Sequence, residues 1–172
     1  ANYYGCVTAL DEQVGRIRAK LRELGVADNT MVTFCSDNGP EGSAAKAPGS
    51  ASDFRGRKRS LYEGGIRVPA IIEWPAKIQA GSSTDFPAGT VDYFPTIQAA
   101  AGFTMPDDRP MDGMDLHPVF SNEVETRPEP RAFQDRKQHA LSDNRYKLYS
   151  GDVGKTWELY DLLDDPGETK DL

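Results

Sequence analysis

Cysteine and histidine are scarce, with two of each in 172 residues. Cys6 and Cys35 cannot form a disulfide framework, and no CxxC or Cys/His spacing offers a zinc site. There is no G-x-S-x-G elbow and no P-loop, and neither His117 in "DLHPVF" nor His139 in "KQHAL" lies in a nucleophile–base pattern. Lone histidines of this kind read as structural. No apolar run reaches the length of a membrane span. Positive charge is in deficit, 20 Lys+Arg against 27 Asp+Glu for a net of -7, which argues against a nucleic-acid partner. Internal repeats and low-complexity tracts are absent as well. The chain opens on "ANYYGCVTALDEQ", with neither an initiator Met nor a charged-then-apolar leader, and so reads as the interior of a longer protein.

What is present can bury a core: 38% of residues are hydrophobic and 27% charged, a globular composition. Val7, Leu10, Val14, Ile17, Leu21 and Leu24 recur at steps of three and four, which predicts an amphipathic helix with this stripe in the core, closed at Gly25. "TMVTFCS", Thr30 to Ser36, reads as a buried strand, and "RVPAIIEWP" as a second strand stopped by proline. Between them, residues 37–62 form a long aperiodic loop, a length that is usually functional or disordered. "TVDYFPTIQAAAG" predicts a helix with Pro95 in its first turn and Gly102 closing it. Beyond about residue 125, short alternating runs ("RAFQD", "HALSD", "RYKLYS", "WELYDL") predict a small antiparallel sheet, with Tyr146, Tyr149, Trp157 and Tyr160 packing it.

Two constellations could carry chemistry. Asp37-Asn38-Gly39 follows the first strand. It reads either as a turn, since Asp and Asn bond their own backbone, or as a pair of hard oxygen donors for calcium or magnesium at a strand's exit. The second is an island of charge, Lys46, Arg55, Arg57, Lys58, Arg59 and Arg67 against Asp53 and Glu63. It is either a solvated charge run or a focus for an anion, and the paired glycines of "EGG" favour something more shaped.

In order along the chain, "LDEQVGRIRAKLRELGVADNTMVTFCSDNGP", "RGRKRSLYEGGIRVPAIIEWPAKI", "VDYFPTIQAAAG", "DGMDLHPVF" and "RYKLY…WELYDLLDDPGETKDL" resemble the sulfatase family of the alkaline-phosphatase-like superfamily. "PDDRPMDGMDLHP" is most similar to arylsulfatase A and N-acetylgalactosamine-6-sulfatase relatives. The resemblance implies an α/β fold: the C-terminal part of an alkaline-phosphatase-like sandwich over residues 1–125, and a small antiparallel sheet subdomain over 126–172. It implies that Asp37 and Asn38 complete a Ca2+ site and that Lys58 contacts the sulfate ester, binding it and stabilising or protonating its leaving oxygen. Arg55, Arg57, Arg59 and Arg67 are then supporting or structural.

The family's nucleophile is a formylglycine made from Cys or Ser in a Cys-x-Pro/Ala-x-Arg motif, and here Cys6 is followed by "VTAL" and Cys35 by "SDNG". The resemblance therefore implies a fragment of a sulfuric ester hydrolase, acting on aryl or carbohydrate sulfates, that is inactive alone. Two other readings stay open: a phosphoester or phosphonate hydrolase of the same superfamily, and a non-catalytic sulfatase-derived chain. Periplasmic or extracellular placement is implied by the resemblance. A sheet cut from its partners exposes edges, predicting self-association or a rearranged, partly disordered loop over residues 39–53.

Overall fold

The computed structural model describes residues 2–43 and 45–172. Helix α1 spans Asn2–Glu23 and ends where predicted. Gly25 takes the left-handed φ of +69°, and the Val26 N–H reaches back to the Leu21 carbonyl at 3.1 Å. That is a glycine-based helix stop. The apolar stripe, however, is not core. Val7, Leu10, Ile17 and Leu24 are exposed, Val14 and Leu21 are half-buried, and no described residue of α1 is buried. Periodicity fixes which face is apolar, but burial needs a second surface, and no described element lies over this one. A bidentate Arg18–Glu73 pair, 2.6 and 2.7 Å, ties α1 to the strand that ends at Glu73. Being exposed and screened by solvent, it adds little to stability.

Strands β1 (Val32–Cys35) and β2 (Ala70–Glu73) pair antiparallel, Val32 opposite Glu73 and Cys35 opposite Ala70. The expected buried strand is thus shorter than predicted and half wet, with Phe34 and Ile71 exposed. Ile72 packs on the cluster of Phe86, Leu116 and Val119, while no described residue buries the Phe34–Ile71 pair. Between the strands lies the one-turn helix α2, Glu63–Ile66.

Helix α3 (Tyr93–Ala101) follows a 3-10 turn at Thr90–Asp92, with Pro95 in its first turn and Gly102 at φ +63° after it. Asp92 is fully buried and accepts a bidentate pair from Arg127, 2.8 Å each, as well as the N–H groups of Gly89 and Met114. Burial alone would raise this carboxyl; the guanidinium and the two N–H donors outweigh it and hold it below the ordinary value. The short helix α4, His117–Phe120, packs Val119 with Phe86 and Leu116 into one small core.

The predicted terminal sheet is present as four strands, β3 (Arg131–Asp135), β4 (Gln138–Ser142), β5 (Tyr146–Ser150) and β6 (Glu158–Asp161). They run antiparallel in chain order, so each pairs only with its sequence neighbours. Tyr149 and Tyr160 are buried as expected, but Tyr146 and Trp157 are exposed. The strand period of two explains the first correction: Tyr146 and Tyr149 are three apart and must face opposite ways. The inward partner of Tyr149 is instead Lys147, wholly buried. Leu61, Tyr62 and Ile66 from around α2 pack on this inner face.

Candidate functional site

Asp37, Asn38 and Gly39 leave β1 as a tight bend, with the Ser36 hydroxyl donating to the Asn38 carbonyl at 2.9 Å. The Asp37 side is exposed and Asn38 is half-buried. The bend is held by α2, since the Gly39 N–H donates to the Gly65 carbonyl at 2.8 Å. Glycine is required there by contact rather than by torsion. A Cβ on Gly39 would sit 1.9 Å from the Gly64 carbonyl oxygen.

The other side of α2 meets the basic loop just as closely. A Cβ on Gly64 would lie 2.4 Å from the Gly56 oxygen and 2.6 Å from that of Arg55, and one on Gly65 would lie 2.0 Å from the Ser60 oxygen. The Gly64 N–H donates to Arg55 at 2.7 Å. The glycine pair is therefore a thin wedge that lets two loops approach through one helical turn. The loops also touch directly, the Lys58 N–H donating to the Pro40 carbonyl at 3.2 Å. Lys58 thus lies beside the segment that carries Asp37 and Asn38, which sequence separation alone does not require.

The cations at 55–67 separate into those that build the loop and one, Lys58, that does not. Arg57 donates to the carbonyls of Gly42, Glu41 and Gly49 at 2.8, 3.1 and 2.7 Å, closing the loop around one guanidinium. Arg55 stacks 3.9 Å from the Tyr62 ring centroid and donates to the Tyr160 hydroxyl at 2.7 Å. Arg59 binds Glu41 at 2.7 Å, and Arg67 lies over Phe54. Lys58 keeps its ammonium half-exposed, with only a 3.7 Å approach to Glu41. The Arg59 hydrogen bond and the Gly42 N–H hold the Glu41 carboxyl down at about 2, so it stays anionic.

Neither histidine joins this site. His117 Nδ1 lies 2.5 Å from Asp115 and its ring stands edge-on to Trp74, and His139 is built into β4. Among the described residues, no group of three or more His, Cys, Asp or Glu side chains is arranged to hold a metal. The hard oxygens of Asp37 and Asn38 suit Ca2+ in kind, but two donors fall short of the six to eight it takes.

Sequence reasoning missed what stands behind α2. Lys147 Nζ lies 2.9 Å from Glu63 Oε1 and 2.9 Å from Glu168 Oε1, all three side chains being buried. Glu168 Oε2 accepts the Glu63 backbone N–H at 2.6 Å. The signal was the period of two in "YKLY", which sends Lys147 inward with Tyr149.

Known proteins share this chain's sequence and fold. Residues 1–103 match the family model described as Sulfatase, and residues 55–172 match N-sulphoglucosamine sulphohydrolase, C-terminal. Human N-acetylgalactosamine-6-sulfatase is 41% identical over 119 residues, covering 69% of this chain and 23% of the relative. Human steryl-sulfatase is 40% identical over 123 residues, again 69% of this chain and 21% of the relative. A solved structure holding its substrate D-glucosamine-2-N,6-O-disulfate superposes with a TM-score of 0.74 at 29% identity, covering 96% of this chain and 34% of that one. The chain spans about a fifth of the length of those curated relatives and about a third of the solved one. The fold is the α/β kind with small antiparallel sheets that the resemblance implies. Both family models cover more than half of the chain, and it belongs to the sulfatase family.

Proposed function

We propose that this chain supplies one side of a sulfuric ester hydrolase site, with Asp37 and Asn38 as oxygen ligands to Ca2+ and Lys58 as the cation on the substrate's sulfate. One observation carries the reading. Of the arginines and lysine at 55–59, only Lys58 is left without a close structural partner, and its backbone is bonded to the segment that carries the oxygen pair. Ca2+ bound by that pair would draw charge from the sulfate oxygens. The chain's own part is electrostatic: an ammonium beside the ester stabilises, or protonates, the leaving oxygen as its S–O bond lengthens. Glu41, held anionic, lies 3.7 Å from the Lys58 ammonium and gives way to the substrate anion. Cys6 lies exposed on α1 and Cys35 within β1, outside any modification motif, so the nucleophile, a formylglycine in this reading, is not supplied by these residues.

The substrate is a sulfate monoester, of an aryl group or of a sugar; the N-acetylgalactosamine-6-sulfatase relative and the N-sulphoglucosamine sulphohydrolase model support the sugar. The test is Lys58→Ala in a full-length enzyme carrying these residues, assayed on aryl sulfate, sugar sulfate and aryl phosphate. Turnover of sulfate esters is expected to fall on the order of 10²–10³-fold with little change in melting temperature. Unaltered sulfate turnover refutes the role of Lys58, and faster cleavage of phosphate than of sulfate refutes the substrate.

A further inference from the structure

We infer that Lys147, Glu168 and Glu63 form a positioning unit that sets the Asp37–Gly39 bend through α2, so that the terminal sheet aims the candidate site it never enters. For its catalytic meaning this rests on the reading above; for its geometry it does not. Three charges are buried together, and burial pushes the Glu168 carboxyl up against the pull of Lys147. Such a cluster is a poor way to gain stability, since desolvation consumes much of the attraction. What it supplies is direction. The two oxygens of Glu168 serve different partners, Oε2 accepting the Glu63 backbone N–H at 2.6 Å and Oε1, which accepts no hydrogen bond, lying 2.9 Å from the Lys147 ammonium as an ion pair. The same ammonium holds the Glu63 carboxylate, also at 2.9 Å. Backbone and side chain of the first residue of α2 are thereby fixed at once.

From there the path is short and rigid. Gly64 and Gly65 have no side chains with which to adjust, and they are hemmed by carbonyls on both sides. The Gly65 carbonyl accepts the Gly39 N–H. A shift of Glu63 must therefore appear at Gly39, next to Asn38, although Glu168 is 105 residues from Glu63 in sequence.

The informative substitution is Glu168→Gln, which keeps the shape. An amide has one acceptor oxygen; if it takes the Glu63 N–H, its NH₂ faces the ammonium, and if it is flipped, the N–H loses its acceptor. On the 172-residue chain, amide exchange at Gly39 and Gly65 is expected to quicken roughly tenfold while β4 and β5 amides stay within about twofold, the size of one buried hydrogen bond felt locally. The Gly39 ¹H–¹⁵N signal should move as well. Unchanged exchange at Gly39 and Gly65, or one equal rise over the whole sheet, overturns the inference. A measurement without substitution guards against a variant that fails to fold. In native-state exchange with rising urea, the Gly39 amide should open together with β5 rather than with β1, its neighbour in sequence. Opening with β1 overturns the inference. Neither readout involves turnover, so a failed Lys58→Ala assay and a failed coupling test are separate results.

Discussion

Gly39→Ala tests the wedge most sharply. The added Cβ would be 1.9 Å from the Gly64 oxygen, where real contacts stay above 3.0 Å, so one of two backbones must retreat by about 1 Å. Neither has slack. Gly64 is pressed against the carbonyls of Phe54, Arg55 and Gly56, and the Gly39 N–H would lose its 2.8 Å bond to Gly65. Overpacking of this kind costs about 1–3 kcal/mol, and the lost backbone bond adds about 1 kcal/mol. The functional effect is larger than the stability effect, because a misplacement of about 1 Å beside reacting groups costs on the order of 10²-fold. The assay pairs a thermal melt of this chain with sulfate ester turnover in a full-length enzyme carrying the substitution. The expected result is a lowered melting temperature and a much larger fractional loss of kcat than of substrate affinity. A variant with wild-type turnover and melting temperature would refute the claim that contact, rather than torsion, demands glycine here.

Three further outcomes follow from the same structure. Arg127→Met leaves Asp92 buried without its cation and should destabilise the chain by about 3–5 kcal/mol, read as a fall in the denaturation midpoint. On acidification, the Asp92 carboxyl, held below its ordinary 3.8, contributes stability fully above that value and loses it as pH falls through the depressed one. Glu168, whose carboxyl is raised, acts with the opposite sign, but only above its ordinary 4.5, so below that value Asp92 sets the trend. Melts between pH 5 and pH 2 should therefore decline below about pH 4, and a flat profile would contradict the pairing. Arg57→Ala frees the carbonyls of Glu41, Gly42 and Gly49, so proteolysis within residues 41–49 should quicken while the melting temperature of the terminal sheet barely moves.

Where the sequence was readable, local physics decided the outcome. The stops at Gly25 and Gly102 follow from left-handed geometry, and the four short strands follow from alternation between turns. The stripe of α1 shows the limit: spacing revealed the face, but its cover is a tertiary matter, and Ile17 and Leu24 lie open. The candidate site divides likewise. Asp37, Asn38 and Lys58 could be singled out by residue type and resemblance, and the glycines by their pairing. The Lys147–Glu63 contact, spanning 84 residues, and the Arg127–Asp92 contact, spanning 35, join charges in segments that look merely polar. No local pattern announces a pairing that only the folded chain creates.

The sheet of β3 to β6 pairs each strand with the next along the chain. Assemblies closed by such short loops form early and quickly, whereas β1 and β2 must wait for a far longer closure. The meander would then be a finished mould against which the glycine turn is cast, with the bend at Asp37 among the last features to set, an order that pulse-labelled amide exchange during refolding would read. Mutations in the hairpins would accordingly surface as slow or heterogeneous maturation of a distant loop, even in molecules whose final structure is intact.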